Sequence, residues 1–242
     1  MNKNIIRPQG RRSIKDFHMP FGVHLVYSEG TKTEPYYVEN FKKLISKKYK
    51  CHPNDIEIIN ANGNQSLNTK FLVDFAIEDV TKRLNRGERI NHVWIFFDKD
   101  SFPSVNFNSA NKQISDLNNS KRVNDDGFCF SEETGISWHS CWTNESFELW
   151  LCLYFNRITS SLDRKQYITH LENIPSLKAK GFKYEKNLTD IHDILLKNGG
   201  RIDLAIRFAK DIDKENGTNN PSTGVFLFAE YFLPYMEQVE RN

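Results

Sequence analysis

The sequence predicts an α/β fold in which helices flank a mostly parallel sheet, followed by a helical C-terminal extension. Short apolar runs of β-prone residues alternate with helical patterns up to residue 156, which is typical of layered α/β domains. Residues 93–97 form an unbroken apolar run, as expected for a strand that is buried on both faces. We therefore expect a basic tail over 1–20, an α/β domain over 21–156, and a helical extension over 157–242 that packs on the same core.

The predicted elements follow one another in a regular order. A strand at 23–28 leads through an acidic turn into a helix at 35–48, whose apolar residues recur on one face. Polar residues at 119–134 and lysines at 175–186 indicate loops. Asn144 follows the fourth predicted strand and is expected to cap the next helix. The other predicted strands lie at 55–61, 92–97 and 135–142, and the other predicted helices lie at 67–85, 107–118, 144–155, 163–173, 188–197, 201–214 and 223–238.

Composition excludes several classes of protein. A chain of 242 residues can bury a substantial core in one or two domains, and its net charge of +2 does not by itself require nucleic acid. No apolar stretch approaches the roughly 18 residues of a membrane helix, and the N-terminus lacks a signal-peptide hydrophobic region. The four cysteines include no Cys-x-x-Cys pair, which argues against a zinc ribbon or a disulfide scaffold. We expect a cytoplasmic protein with reduced thiols and no membrane partner.

Carboxylates follow three of the predicted strands at their carboxyl ends, the edge where open α/β sheets bind ligands. Asp98 and Asp100 end the apolar run, Glu29 follows the first strand, and Glu148 follows the fourth. The two-residue spacing points both aspartates to one side of an extended strand, where like charges are costly without a cation. Hard oxygen ligands of this kind suit Mg²⁺ or Mn²⁺. The alternative is that these are ordinary surface acids, with Glu34 and Glu148 favoured by helix dipoles.

The order of four motifs resembles that of a known family over residues 23–230. The motifs are Glu29-Gly-(x)₂-Thr33-Glu34-Pro35-x-Tyr37, the strand into Asp98-Lys-Asp100, Asn144-Glu-Ser-Phe-Glu148-Leu-Trp-Leu, and Asn220-Pro-Ser-Thr223-Gly-Val225. This arrangement resembles the RloB family of bacterial proteins, which is encoded near restriction or abortive-infection genes. That family is related to the Toprim domain of topoisomerases, primases and OLD-type nucleases. Where the family usually has Ser-Asn-Pro, this chain has Thr143-Asn144-Glu145, which adds an acid beside the site.

The resemblance implies a Toprim-like fold that cleaves phosphodiesters with Mg²⁺ or Mn²⁺ as its cofactor. Glu29 would bind metal or transfer a proton, and Asp98 with Asp100 would form a metal-binding pair. Glu34 and Glu148 would help to hold a second ion. Two such ions can activate a water and stabilise the leaving oxygen of a phosphodiester.

The resemblance and the composition together indicate which residues contact the substrate. Lys186 lies in a Tyr-x-Lys that the resemblance connects with a catalytic lysine, whose charge would stabilise the transferring phosphate. Lys178, Lys180 and Lys183 are interleaved with aromatic residues, a pattern that suits a phosphate backbone. Ser146 belongs to a Ser-x-Glu element of the same resemblance and is a further expected substrate contact. Ordinary solvated lysines would give the same pattern, so that alternative stays open.

These observations favour a metal-dependent nuclease that acts as the effector of a bacterial antiviral, abortive-infection system. The substrate would be DNA, tRNA or another RNA, and a homo-oligomer is compatible with the sequence. The resemblance implies a separate ATPase as partner, and this chain contains no Gly-x-x-x-x-Gly-Lys-Ser/Thr phosphate loop of its own. The alternative is a non-catalytic subunit that binds nucleic acid or the ATPase. A third hypothesis is nucleotidyl transfer or primase-like synthesis.

Overall fold

A five-stranded sheet forms the centre of the protein. The computed structural model describes residues 22–49, 55–60, 69–99 and 104–236. The strands in these ranges are His24–Ser28 (β1), Ile56–Asn60 (β2), His92–Asp98 (β3), Ser137–Asn144 (β4) and Ser222–Thr223 (β5), in the order β2-β1-β3-β4-β5. The first four strands pair in parallel, and β5 pairs antiparallel with the end of β4. The predicted fold class, a mostly parallel sheet flanked by helices, is confirmed.

Helices cover both faces of this sheet. Val26, Trp94 and Phe96 belong to an apolar cluster that includes α1 and most C-terminal helices, whereas Leu25 and Val93 belong to a cluster with α2 and α3. This alternation follows from the two-residue period of a strand. It explains why β3 is apolar throughout, since both of its faces are buried. The helices are Thr33–Lys48 (α1), Thr69–Asn85 (α2), Ser104–Leu117 (α3), Glu148–Cys152 (α4), Arg164–Glu172 (α5), Pro175–Lys178 (α6), Ile191–Lys197 (α7), Ile202–Asn216 (α8) and Phe226–Phe232 (α9), with a 3₁₀ turn at Leu233–Tyr235.

The C-terminal part is mainly helical, as predicted, but it also supplies a strand. Residues Ser222–Thr223 form β5 and pair with Asn144 and Thr143, although the sequence predicted a helix from residue 223. That helix begins instead at Phe226. A two-residue polar strand has no periodicity that a sequence pattern could reveal. In the ranges that the structure describes, we find no helix with the length and apolar character needed to cross a membrane.

Asn144 does not cap α4, so that prediction is wrong. The N-cap position of α4 is Phe147, which makes no side-chain capping bond. Asn144 is the last residue of β4, and its Nδ2 donates to the Thr218 carbonyl oxygen at 2.9 Å. The side chain therefore connects β4 to the segment before β5.

Three histidines meet near the amino ends of the strands, at the edge opposite to the acids. His24 stacks on His92 with ring centroids 4.8 Å apart, and His92 Nδ1 lies 2.9 Å from His139 Nε2. His92 Nε2 lies 3.1 Å from Asp126 Oδ2. Burial lowers the pKa of His92 and holds the pKa of His139 well below its ordinary value. These mutual contacts satisfy polar atoms inside the core.

A buried polar chain joins α1 to α7 and to the residues after α4. The Tyr154 hydroxyl lies 2.6 Å from the Tyr37 hydroxyl and 2.7 Å from His192 Nδ1. The His192 backbone N–H donates to Asn40 Oδ1 at 3.0 Å. Burial lowers the pKa of His192 to about 3, so the ring is neutral in the folded protein above that pH.

The neutral His192 predicts a specific loss of stability in acid. Below pH 6.5 the unfolded state binds a proton at this ring, whereas the folded state does not until about pH 3, so stability falls as the pH falls through this window. Between pH 6 and 5, His192→Gln should reduce the slope of the unfolding free energy by roughly 1 kcal/mol per pH unit. Urea unfolding at the two pH values measures the slope. The partly exposed His170 provides the control His170→Gln, and an unchanged slope in His192→Gln would contradict the assignment.

Candidate functional site

The acids at the strand exits line one cleft of about 310 Å³. Glu29 follows β1, Asp98 ends β3, and Glu148 begins α4 just after β4, while Glu34 comes from the first turn of α1. The register explains their convergence, because Ser28 pairs with Phe96 and Asp98 pairs with Thr143 across parallel strands. Carboxyl ends of neighbouring parallel strands lie at the same edge of a sheet. Four of the five carboxylates predicted at this edge therefore share one cleft.

A tight turn holds Glu29 and Glu34 together. The Glu29 backbone N–H donates to the Phe96 carbonyl oxygen at 3.0 Å, and Ser28 Oγ donates to the Gly30 carbonyl oxygen at 2.8 Å. The Glu34 side chain folds back over Gly30, where a Cβ atom would lie only 2.2 Å from Glu34 Oε2. A side chain at position 30 would therefore displace the Glu34 carboxylate from its present place.

Glu34 has an unusual electrostatic environment. Burial is the main cause that raises the pKa of its carboxyl, and the neighbouring Glu148 charge raises it further. Arg164 and Lys186 favour the charged form and oppose this shift. The cleft is thus a place where an added cation would be favourable, because it would relieve repulsion between nearby carboxylates.

Glu148 is held from two sides by residues of the C-terminal part. It is 2% exposed, its Oε1 accepts a bond from the Tyr184 hydroxyl at 3.1 Å, and its Oε2 lies 3.8 Å from Arg164 Nε. Thr33 Oγ1 lies 3.2 Å from the same Tyr184 hydroxyl. Burial raises the pKa of Tyr184, which keeps the hydroxyl protonated so that it can donate to the carboxylate. Glu148 therefore has a fixed orientation.

Arg164 is the main cleft residue that the sequence analysis missed. Its Nη2 donates to Asp98 Oδ2 at 2.8 Å, and the side chain also reaches Glu148 across the cleft. A capping box fixes its position, since Asp163 Oδ1 accepts from the Gln166 N–H and Gln166 Oε1 accepts from the Asp163 N–H, each at 2.8 Å. The helix itself was predicted at 163–173, and the Asp-x-x-Gln spacing is a further sequence signal for its start. The contact with Asp98 spans 66 positions along the chain and has no local signal.

The predicted substrate-binding lysines lie in different places. Lys186 lines the cleft, together with Lys32 from the turn before α1. Lys178 and Lys180 are exposed and lie outside the cleft lining. Lys183 also lies outside it, and its Nζ is 2.8 Å from Glu172 Oε2 in an ion pair. Lys186 is therefore the predicted lysine that can reach a ligand among the acids.

The two remaining predicted site residues are Ser146 and Asp100, of which Ser146 lies outside the cleft lining. Ser146 is fully buried, and its Oγ has no hydrogen-bond partner among the described residues. Asp100 lies outside the described residues, two positions beyond Asp98.

The donor chemistry of the cleft fits a divalent ion, because Glu29, Glu34, Asp98 and Glu148 supply the oxygen ligands that Mg²⁺ and Mn²⁺ prefer. Their present spacing is wider than an ion requires. Across residues 22–49, 55–60, 69–99 and 104–236, no three His, Cys, Asp or Glu side chains are grouped closely enough to hold a metal. Binding an ion would therefore draw the carboxylates together.

The cleft combines these acids with cations from three separate elements. Lys32, Arg164 and Lys186 all line it. Guanidinium and ammonium groups bind phosphate oxygens, and carboxylates bind divalent ions. The cleft thus presents groups of both chemical kinds.

Comparison with known proteins identifies the family. A family model described as RloB-like protein matches residues 24–231, which is most of the chain. Neither curated proteins nor solved structures give a significant match. The matched region contains every residue of the cleft described above. The chain belongs to the RloB-like protein family.

Proposed function

We propose that this chain is a divalent-metal-dependent phosphodiesterase that cleaves nucleic acid in the acidic cleft. The observation that carries the proposal is the convergence of Glu29, Asp98 and Glu148 from three strand exits, with Lys186 on the same cleft. A cleft built for structure alone would not gain from gathering like charges, because their repulsion destabilises the fold unless a cation relieves it.

Each side chain of the cleft has a chemical role in this proposal. Asp98, Glu34 and Glu148 would hold divalent ions, with Asp100 as an additional ligand. Glu29 would bind an ion or accept the proton of the attacking water. Lys186 would stabilise negative charge on the transferring phosphate. A bound Mg²⁺ or Mn²⁺ would supply charge that stabilises the phosphodiester transition state.

The biological setting is proposed from the family resemblance. We place the chain in the cytoplasm as the effector of a bacterial abortive-infection system, restrained or activated by a separate ATPase, with a Toprim-like relationship to OLD-type nucleases. DNA, tRNA and other RNA are all compatible substrates, because the cleft recognises the phosphate that they share.

A second candidate function is non-catalytic binding of nucleic acid or of the ATPase. The ion pair between Arg164 and Asp98 favours it, since a guanidinium already neutralises acids that a catalytic ion would need. Measurements of metal binding and of cleavage distinguish the two functions.

Divalent ions should stabilise the fold. An ion that binds only the folded state contributes about 2.7 kcal/mol at one hundred times its Kd. We expect the melting temperature to rise in Mn²⁺ relative to EDTA, and Asp98→Asn to lose most of that rise. Asp116→Asn is the matched control, because Asp116 pairs with Lys112 on the exposed face of α3. Equal melting temperatures of the wild type in EDTA and in excess Mn²⁺ would exclude the metal site.

Glu29→Gln should abolish cleavage while the protein stays folded, because the amide keeps the shape of the side chain but carries no charge and accepts no proton. Cleavage of RNA and DNA in Mn²⁺, with the ATPase present, measures the loss, and circular dichroism verifies the fold. Glu133→Gln changes an exposed glutamate outside the cleft and should leave cleavage unchanged. Wild-type cleavage by Glu29→Gln would favour the binding function.

Lys186→Ala should lower kcat, because Lys186 lines the cleft and can reach a transferring phosphate. Loss of a well-placed donor to a transition state typically costs about 10²–10³ in kcat. Lys178→Ala is the matched control, since Lys178 is exposed and outside the cleft lining. It should at most raise KM and reduce the salt dependence. An unchanged kcat in Lys186→Ala would remove the catalytic assignment of that lysine.

A further inference from the structure

Arg164 occupies the position of a counter-ion in the acidic cleft. Its Nη2 is 2.8 Å from Asp98 Oδ2, and its Nε is 3.8 Å from Glu148 Oε2, so one guanidinium spans acids from two strand exits. The capping box at the start of α5 fixes the backbone from which the side chain extends. The backbone position of Arg164 is therefore defined by the fold, whereas the guanidinium is held by the two acids.

The partners of Arg164 are the oxygens that a divalent ion would need. Glu148 Oε1 already accepts a bond from Tyr184, and Oε2 is the oxygen that lies 3.8 Å from Arg164 Nε. Two cations at the same pair of oxygens repel each other. A divalent ion with ligands from Asp98 and Glu148 must therefore compete with the guanidinium.

Exposure indicates which group would move in such an exchange. The Arg164 side chain is 35% exposed, whereas the side chains of Asp98 and Glu148 are 13% and 3% exposed. A long side chain with that exposure can turn towards solvent, whereas the less exposed carboxylates can move only the short distance that brings them together around an ion. The guanidinium would then stand at the mouth of the cleft near Lys32 and Lys186, which line it.

We propose that Arg164 is the resident counter-ion of Asp98 and Glu148, that a divalent ion displaces it, and that the released guanidinium binds a phosphate of the substrate backbone. The planar fork of an arginine matches two phosphate oxygens, which an ammonium cannot do. This inference rests on the proposed function, because it requires the cleft to bind a metal. It adds a substrate-positioning residue and couples metal binding to substrate binding.

Calorimetric titration with Mn²⁺, without substrate, tests the exchange. Arg164→Gln keeps a polar side chain but has no charge to displace, so it should bind Mn²⁺ about fivefold more tightly than the wild type, the factor expected for the loss of one partly exposed ion pair. Arg164→Lys keeps the charge and should bind Mn²⁺ with an affinity close to that of the wild type. Arg157→Gln is the matched control, because Arg157 pairs with Glu215 outside the cleft lining.

Binding of a short single-stranded oligonucleotide in saturating Ca²⁺ tests the phosphate contact. Arg164→Gln should bind several-fold more weakly and reduce the salt slope by about one, whereas Arg157→Gln should match the wild type. Arg164→Lys should recover the salt slope but only part of the affinity. Urea unfolding without metal establishes that each variant is folded.

The outcomes separate this inference from the proposed function. If the wild type binds Mn²⁺ and Arg164→Gln binds it equally or more weakly, the exchange is wrong and the metal site stands. If oligonucleotide binding is unchanged in Arg164→Gln, the phosphate contact is wrong. If neither the wild type nor any variant binds Mn²⁺, the metal-dependent function and the exchange are both wrong.

Discussion

Repulsion between carboxylates at one sheet edge is the constraint on which the rest of the cleft depends. Parallel pairing of β1, β3 and β4 brings Glu29, Asp98 and Glu148 to the same place, because the fold leaves their strand exits side by side. Three surrounding features reduce that repulsion. Arg164 places a positive charge between Asp98 and Glu148, and the Tyr184 hydroxyl donates to Glu148. Burial raises the pKa of Glu34, which favours its uncharged form. The sheet brings the negative charges together, and residues outside the sheet offset their repulsion.

The C-terminal part supplies Arg164 and Tyr184, two of the groups that offset this repulsion. Its apolar residues share one core with the sheet. A single apolar cluster joins α1 to the helices from α4 to α9, and the Tyr37–Tyr154–His192 chain crosses the same interior. Tyr184 is itself anchored to α5, because its backbone N–H donates to Glu172 Oε1 at 3.0 Å. The hydrogen bond that orients Glu148 thus comes from Tyr184, 36 positions further along the chain.

The sequence predicted the features that depend on local pattern and failed for those that depend on distant contacts. Apolar runs located the parallel strands, and the strand exits indicated which acids would meet. Arg164 was missed because its partner lies 66 positions away. β5 was missed because two polar residues carry no periodicity, and Asn144 was assigned to a cap because its bond to Thr218 has no local signature. Contacts between residues that are far apart in the sequence can be identified only when the fold is known.

The order in which the chain is synthesised gives β5 and Tyr184 a further significance. The acids from Glu29 to Glu148 emerge first, but Tyr184 and the β5 residues Ser222–Thr223 follow much later. A nascent chain that ends before Tyr184 has its acids without the hydroxyl that orients Glu148. One that ends before β5 leaves the last residues of β4 without their antiparallel partner. Glu148 therefore gains its fixed orientation only after Tyr184 has been synthesised, so a product truncated before that residue would carry the acidic motifs without the hydrogen bond that orients Glu148.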